Sequence, residues 1–556
     1  MGKNKCNETA RENAFERRKF LQLGGAAIIA SRVSIRADAN NRARTSLLAT
    51  TTAIKTFELE EATIAGLQQG IKTGKYTARS LVEKYLARIA EIDKRGASVN
   101  SIIELNPDAL SIADALDRER RSGKTRGMLH GIPVLIKDNI DTADRMMTTA
   151  GSLALVGSKP ARDAFVAQKL REAGAVILGK TNLSEWANFR SSHATSGWSG
   201  RGGQTRNPYA LDRNPCGSSS GSGAAVASNF CVVAVGTETD GSIVCPSSSN
   251  SLVGIKPTLG LVSRAGIIPI SHSQDTAGPM ARTVTDAAIL LSALAGIDAR
   301  DAVTNESRGK ASADYTKFLD PNGLRGARIG VARKFFGFNE AVDPLMNASI
   351  EAMKRLGAII IDPAEIPTTG KFDDSEFEVL LYEFKADLNA YLASLGQNAP
   401  VHSLKEIIEF NERHRDKEMP YFGQDIMLKA EAKGSLTSKE YLAALAKNHR
   451  LSRTEGIDAV MNQYKLDAMI APTGSPAWPT DLLNGDHTTG GFSSPAAVAG
   501  YPHITVPAGY VAGLPVGLSF FGRAYTEPLL IKFAYAYEQA TKLRRPPQFL
   551  AHANLA

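Results

Sequence analysis

The sequence predicts one large α/β domain, and three observations carry that expectation. Short, fully apolar runs, among them Ile132-Pro133-Val134-Leu135-Ile136 and Gly174-Ala175-Val176-Ile177-Leu178-Gly179, have the character of strands buried on both faces. Segments with apolar residues at helical spacing alternate with these runs. Beyond residue 55 there is neither an internal repeat nor a linker that would split the chain. At 556 residues, 43% hydrophobic and 22% charged, the chain can fill a core of that size.

In chain order, the N-terminus reads as an address. Glu16-Arg17-Arg18-Lys19-Phe20-Leu21-Gln22 resembles a twin-arginine export motif. The apolar stretch from Leu21 to Ala30 is too short to span a bilayer, and Ala37-Asp38-Ala39 offers an A-x-A cleavage site. A disordered basic tail is the plainer alternative for residues 1–39. Twin-arginine export carries folded proteins, so folding in the cytoplasm and work in the periplasm are expected. This segment holds eight Lys/Arg against four Asp/Glu and supplies half of the formal charge of +8. The remainder is nearly balanced and carries no basic stripe, which argues against a nucleic-acid partner. Cys6 would leave with the leader. Cys216, Cys231 and Cys245 show neither a disulfide framework nor metal-ligand spacing and are expected to be buried small hydrophobes.

Residues 40–55, rich in Thr, Ala and Arg, read as a linker, and residues 56–556 as the domain. From Leu59 to Ile92 the apolar positions Leu67, Ile71, Leu81, Tyr85, Leu86 and Ile89 predict helix. Asn106-Pro107-Asp108 opens another helix that runs to about Arg121. A strand at 132–136, a helix from Asp163 to Ala173 and a strand at 174–179 follow, then a long polar, Gly-rich loop from Ser192 to Arg213. Leu252 to Pro257, a helix from Asp286 to Ala295, and a strand–helix–strand unit over Ala327–Ala332, Leu345–Leu356 and Ala358–Ile361 come next. Residues 365–450 are mostly helical and more charged, the place for a lid or specificity subregion. Leu466 to Pro472 and His503 to Pro507 read as strands, and a helix from Glu527 to Leu543 closes the fold.

Chemistry concentrates in two Gly/Ser turns, Cys216-Gly217-Ser218-Ser219-Ser220-Gly221-Ser222-Gly223 and Thr237-Glu238-Thr239-Asp240-Gly241-Ser242. Apolar, element-forming sequence lies between them, unlike the surroundings of a flexible linker. Small residues around a hydroxyl let the backbone approach a reacting atom with free N–H groups. Ser242 is the candidate nucleophile, following Gly241 just after a strand-like run, and the N–H groups of Thr239, Asp240, Gly241 and Ser242 are the candidate oxyanion hole. Lys137 follows the buried strand at 132–136, where desolvation lowers an amine's pKa and lets it act as a base. Taken singly, each of these residues has a plain structural reading. The first turn also fits G-x-S-x-G with Ser219 as nucleophile, but two prolines and no strand precede it. It lacks the Lys and Thr/Ser of a P-loop. None of the nine histidines has an identifiable partner for Ser-His-Asp chemistry.

With Gly131-Ile132-Pro133 through Lys137-Asp138-Asn139, Gly179-Lys180-Thr181-Asn182-Leu183-Ser184-Glu185-Trp186, Gln204-Thr205-Arg206-Asn207-Pro208, the two turns and Gly254-Ile255-Lys256-Pro257-Thr258, the chain resembles the amidase signature family over about residues 56–545. The resemblance implies a single α/β/α domain with a central twisted mixed β-sheet covered by helices. It also implies a Ser-cisSer-Lys triad: Lys137 as base, Ser218 on a cis peptide after Gly217 as relay, Ser242 as nucleophile, and Ser219 in support. No metal and no cofactor are implied; the partner is a small-molecule or peptide amide, and the enzyme a monomer or homo-oligomer. Many family members have Gly-Gly-Ser-Ile-Arg at the nucleophile, including those of the amidotransferases that work on charged tRNA. This chain has Asp240-Gly241-Ser242-Ile243-Val244, which looks like bacterial peptide amidases that remove a C-terminal amide. An amidase for aryl, fatty or short aliphatic amides, or a non-catalytic amidase-like binding protein, are the rival readings.

Overall fold

Eleven strands of the described residues hydrogen-bond into a single mixed sheet. The computed structural model describes residues 56–397 and 399–555; the leader at 1–39 and the linker at 40–55 lie outside them. In chain order the strands are β1 (Ile102–Leu105), β2 (Pro133–Lys137), β3 (Val176–Thr181), β4 (Trp198–Ser199), β5 (Gly203–Gln204), β6 (Val233–Glu238) and β7 (Val253–Lys256). They continue as β8 (Thr276–Ala281), β9 (Arg328–Val331), β10 (Ile359–Ile361), β11 (Ala468–Pro472), β12 (His503–Val511) and β13 (Leu514–Phe521). The order across the sheet is β1-β3-β2-β6-β8-β7-β12-β13-β11-β9-β10, with β4 and β5 forming a separate small hairpin inside the long 192–213 loop.

Parallel pairing holds β3, β2 and β6 together on one side and β10, β9 and β11 on the other. The strands between them pair antiparallel. Every residue of β2, β3, β6, β7, β8, β11 and β13 is buried, as strands covered on both faces must be. Helices supply those covers. Ala78–Ile92 starts at a Thr77/Ser80 capping box and turns Leu81, Val82, Tyr85, Ile89 and Ile92 inward. Val284–Leu294 is capped by Thr283 and is apolar nearly all round because it is almost wholly enclosed.

The 365–450 region is helical, with Asp373–Ser394 its longest element. That helix packs Phe384, Leu388 and Leu392 into a cluster with Trp186, Phe189 and Ile268, so the subregion shares apolar contacts with the segments beside the site. Its carboxylates Glu376 and Glu383 are buried rather than solvated. Arg190, wholly buried, ties the neighbouring chain down through Glu185 at 2.7 Å and the Glu418 carbonyl, and its guanidinium lies 4.3 Å from the Phe422 ring centre.

Three elements carry no readable sequence signal. Strand β8 contains Gly278 and Pro279, residues depleted from strands, and yet it sits between β6 and β7. Helix Val244–Ser249 contains Pro246 and three serines; within the first turn a missing N–H costs no intrahelical bond. Strand β13 follows β12 across a two-residue turn, so the pair runs from the predicted strand at 503 far beyond Pro507.

Candidate active site

The site gathers where parallel strands β2 and β6 end. Lys137 is the last residue of β2, and the Thr239–Ser242 turn follows β6 directly. Carboxyl ends of parallel strands are where open α/β sheets present ligand-binding loops. Lys137 is completely buried, and its Nζ lies 2.7 Å from Ser218 Oγ, 2.9 Å from Thr237 Oγ1 and 3.2 Å from the Thr237 carbonyl. Among the described residues no carboxylate hydrogen-bonds or ion-pairs with it. Burial pushes the amine down to about 7, with the nearby negative charges of Asp275 and Glu238 opposing that fall.

The Gly217–Ser218 peptide is cis. Ser218 is buried, and its carbonyl accepts the Ser184 N–H at 3.1 Å. Ser219 follows as the residue before helix Ser220–Ala227; its hydroxyl donates to the Thr237 carbonyl at 3.0 Å and accepts the Thr237 N–H at 3.2 Å. That hydroxyl is therefore locked against β6, and no strand precedes it, so the turn is not a nucleophile elbow. The Ser219 N–H donates to the Ser242 carbonyl at 3.2 Å, which joins the two Gly/Ser turns directly.

Ser242 is 8% exposed. Gly241 before it has φ +78°, a conformation that favours glycine. Behind the turn, the buried Glu238 carboxylate accepts the N–H groups of Ile243 at 2.7 Å and Val244 at 3.0 Å, anchoring the helix that follows. Among the described residues, the N–H groups of Thr239, Asp240, Gly241 and Ser242 have no backbone acceptor. A groove of about 340 Å³ reaches this turn, lined by Gly217, Asp240 and Gly241 with Trp478, Phe492 and Asp486.

Two expectations are corrected here. Cys216 and Cys245 are not separate small hydrophobes: they form a disulfide, with their Cα atoms 6.0 Å apart. The bond spans 29 residues, and only the tertiary meeting of the two turns brings the cysteines together, so spacing gave no hint of it. Cys231 is the buried free thiol the sequence suggests. His272 does have partners, Asp387 at 2.9 Å and Glu383 at 3.4 Å, but these hold the helical subregion. Among the described residues no histidine hydrogen-bonds Lys137, Ser218 or Ser242.

Lys180 and Asp138 carry no role legible in the sequence. The buried Lys180 Nζ donates to the Ile140 carbonyl and to Thr148 Oγ1, and the buried Asp138 accepts the Thr149 hydroxyl, so both serve the packing behind β2. Asp275 emerges only from the structure, which also gives the Asp240 carboxylate a partner. Thr239 donates to Asp275, and Asp240 Oδ2 accepts the Ser494 hydroxyl at 2.6 Å.

Comparison with known proteins agrees with this picture. A profile of the Amidase family matches residues 80–531. A protein of Arabidopsis thaliana named as a probable amidase is 45% identical over 505 residues, covering 89% of this chain and 93% of that one. A putative amidase of Schizosaccharomyces pombe is 40% identical over 521 residues, covering 88% of this chain and 87% of that one. The X-ray structure of native peptide amidase from Stenotrophomonas maltophilia superposes with a TM-score of 0.85 at 52% identity, covering 89% of this chain and 100% of that chain.

Proposed function

The chain belongs to the amidase signature family and is an amide C–N hydrolase, and from that premise we propose that it deamidates the C-terminal amide of peptides through Lys137, Ser218 and Ser242. The observation that carries the proposal is the completely buried Lys137 amine, 2.7 Å from the Ser218 hydroxyl. With its pKa drawn down to about 7, much of the amine is free base near neutral pH.

In this reading the neutral amine takes the Ser218 proton while Ser218 takes that of Ser242. Ser242 Oγ attacks the carboxamide carbon. The resulting oxyanion rests on the free N–H groups of the 239–242 turn, each well-placed donor worth roughly 3–4 kcal/mol. Collapse breaks the C–N bond, the proton returns through Ser218 to the departing nitrogen, and ammonia leaves. Water then hydrolyses the acyl ester on Ser242 by the same route.

Peptide-type substrates are supported by the likeness to the Stenotrophomonas enzyme, by Asp240 and Val244 in place of the Gly and Arg of the tRNA amidotransferases, and by an open groove rather than a sealed apolar channel. Work outside the cytoplasm is supported by the Arg17-Arg18 motif and by a disulfide, a bond that persists in oxidising compartments. The deciding experiment measures ammonia release from C-terminally amidated peptides, with simple amides and glutamine alongside. Amidated peptides are the expected substrates, and Ser242→Ala removes turnover. No release from any amidated peptide would discard the peptide assignment. Near-normal activity of folded Ser242→Ala would discard the mechanism.

A further inference from the structure

A carboxylate that the reaction scheme does not use stands directly behind the oxyanion turn. Strands β6 and β8 pair antiparallel with Glu238 opposite Thr276, so the next step along the ladder sets Thr239 against Asp275. The pairing is completed by side chains. Thr239 Oγ1 donates to Asp275 Oδ1 at 2.5 Å, while Asp275 Oδ2 accepts the N–H groups of Ile270 at 2.8 Å and Ser271 at 2.9 Å. Both oxygens are thus fixed by the protein, and one of the fixed partners belongs to the oxyanion turn. Such doubly anchored carboxylates hold their hydrogen-bond donors in place far better than solvated ones.

The same carboxylate shares a cavity with Thr237, whose hydroxyl meets the proposed base. Asn139, Thr237, Thr239 and Asp275 line one small cavity of about 10 Å³, room for about one water molecule. Across it, Thr237 presents the hydroxyl that Lys137 Nζ meets at 2.9 Å, and the Asn139 amide donates to that hydroxyl at 3.0 Å. Two anions act on the Lys137 charge, Asp275 first and Glu238 second. Glu238, on β6, is already engaged by the N–H groups of Ile243 and Val244 and by the charge of Lys256. Arg264 also lines the cavity, but its guanidinium is committed to Asp301 at 2.5 Å. Burial drives Lys137 toward losing its proton, and of the anions opposing that loss Asp275, whose own carboxyl burial pushes up to about 6, has the largest effect.

We infer that Asp275 is a positioning residue with two duties: it holds the oxyanion turn through Thr239, and its charge favours the protonated form of Lys137. The inference rests on the Lys137–Ser218–Ser242 reading of the site. It separates two effects that a substitution can split. Thr239→Val deletes the hydrogen bond and keeps the charge. Asp275→Asn deletes the charge.

The test records kcat/KM against pH for both variants, with the rate of fluorophosphonate labelling at Ser242 and the folded fraction by circular dichroism. Thr239→Val is expected to lose ten-fold or more in kcat, with KM changed less than three-fold and the acid limb of the profile unmoved. Asp275→Asn is expected to move that limb at least half a pH unit downward, because an amine without its anion loses its proton at lower pH. A merely structural role would lower activity at every pH and leave the limb in place. An unmoved limb in Asp275→Asn overturns the inference, whatever happens to kcat, and so does a wild-type kcat in Thr239→Val should Asp275→Asn fail to fold. Lys137→Ala, assayed alongside, keeps the two levels apart. Activity retained there overturns the triad itself, whereas activity abolished there with a wild-type Asp275→Asn profile overturns only the role of Asp275.

Discussion

Three lysines of this fold, Lys137, Lys180 and Lys256, are completely buried, and their neighbours decide what each can do. Lys180 lies in the field of Asp138 and Asp141, and Lys256 in that of Glu238 and Glu527. Lys137 feels Asp275 and Glu238, and its Nζ also meets two hydroxyls and a carbonyl, so its free base has a proton donor within reach in Ser218. The sign of the pH dependence follows. Below about 7 the amine is an ammonium and cannot accept the Ser218 proton, so kcat/KM should climb as pH rises through that value and level off above it. Lys137→Arg, charged at every accessible pH, should leave roughly a hundredth to a ten-thousandth of the rate, measured as ammonia release. Lys137 could be picked from the sequence because an apolar strand runs straight into it. Asp275 could not, since Ser271 to Thr276 has no local signature and its meaning comes from the β6–β8 register.

Helix Ser220–Ala227 shows how little freedom the site's elements have. A Cβ on Gly221 would stand 2.3 Å from the Ser101 carbonyl oxygen and 2.4 Å from that of Asn182. Both are backbone atoms that cannot swing aside, so the glycine lets the helix seat against β1 and the start of the 182–188 segment. Gly221→Ala is expected to destabilise the protein by about 1–3 kcal/mol or more, read as a lower denaturation midpoint with an unchanged m-value. The sequence made the helix visible through its Ala-rich continuation but could not show which glycine served conformation and which served proximity. Strand β8 was hidden for a related reason. Gly278 passes so close to the Ile255 carbonyl that no side chain would fit, and the residue type that permits this packing is one that strand propensity discounts.

At the scale of the whole molecule, the alternation of buried runs and helical segments revealed one α/β domain. The order of the eleven strands stayed hidden, because antiparallel pairs such as β7–β12 join segments some 250 residues apart, which local pattern does not encode. The Cys216–Cys245 bond belongs to this scale too. It closes a ring that contains helix Ser220–Ala227 and all of β6, and in the chain-entropy account such a loop removes about 3–4 kcal/mol of freedom from the unfolded chain. Replacing both cysteines with serine should therefore lower the thermal midpoint, checked by calorimetry. Both cysteines line the groove that reaches the 239–242 turn, with Cys216 6% exposed. If the chain is exported already folded, the bond must close after folding, and a groove wall is a place where an oxidant can still reach it. Maturation would then be a post-folding event with a countable record: the denatured chain without its leader should titrate with three thiols before it and one, Cys231, after.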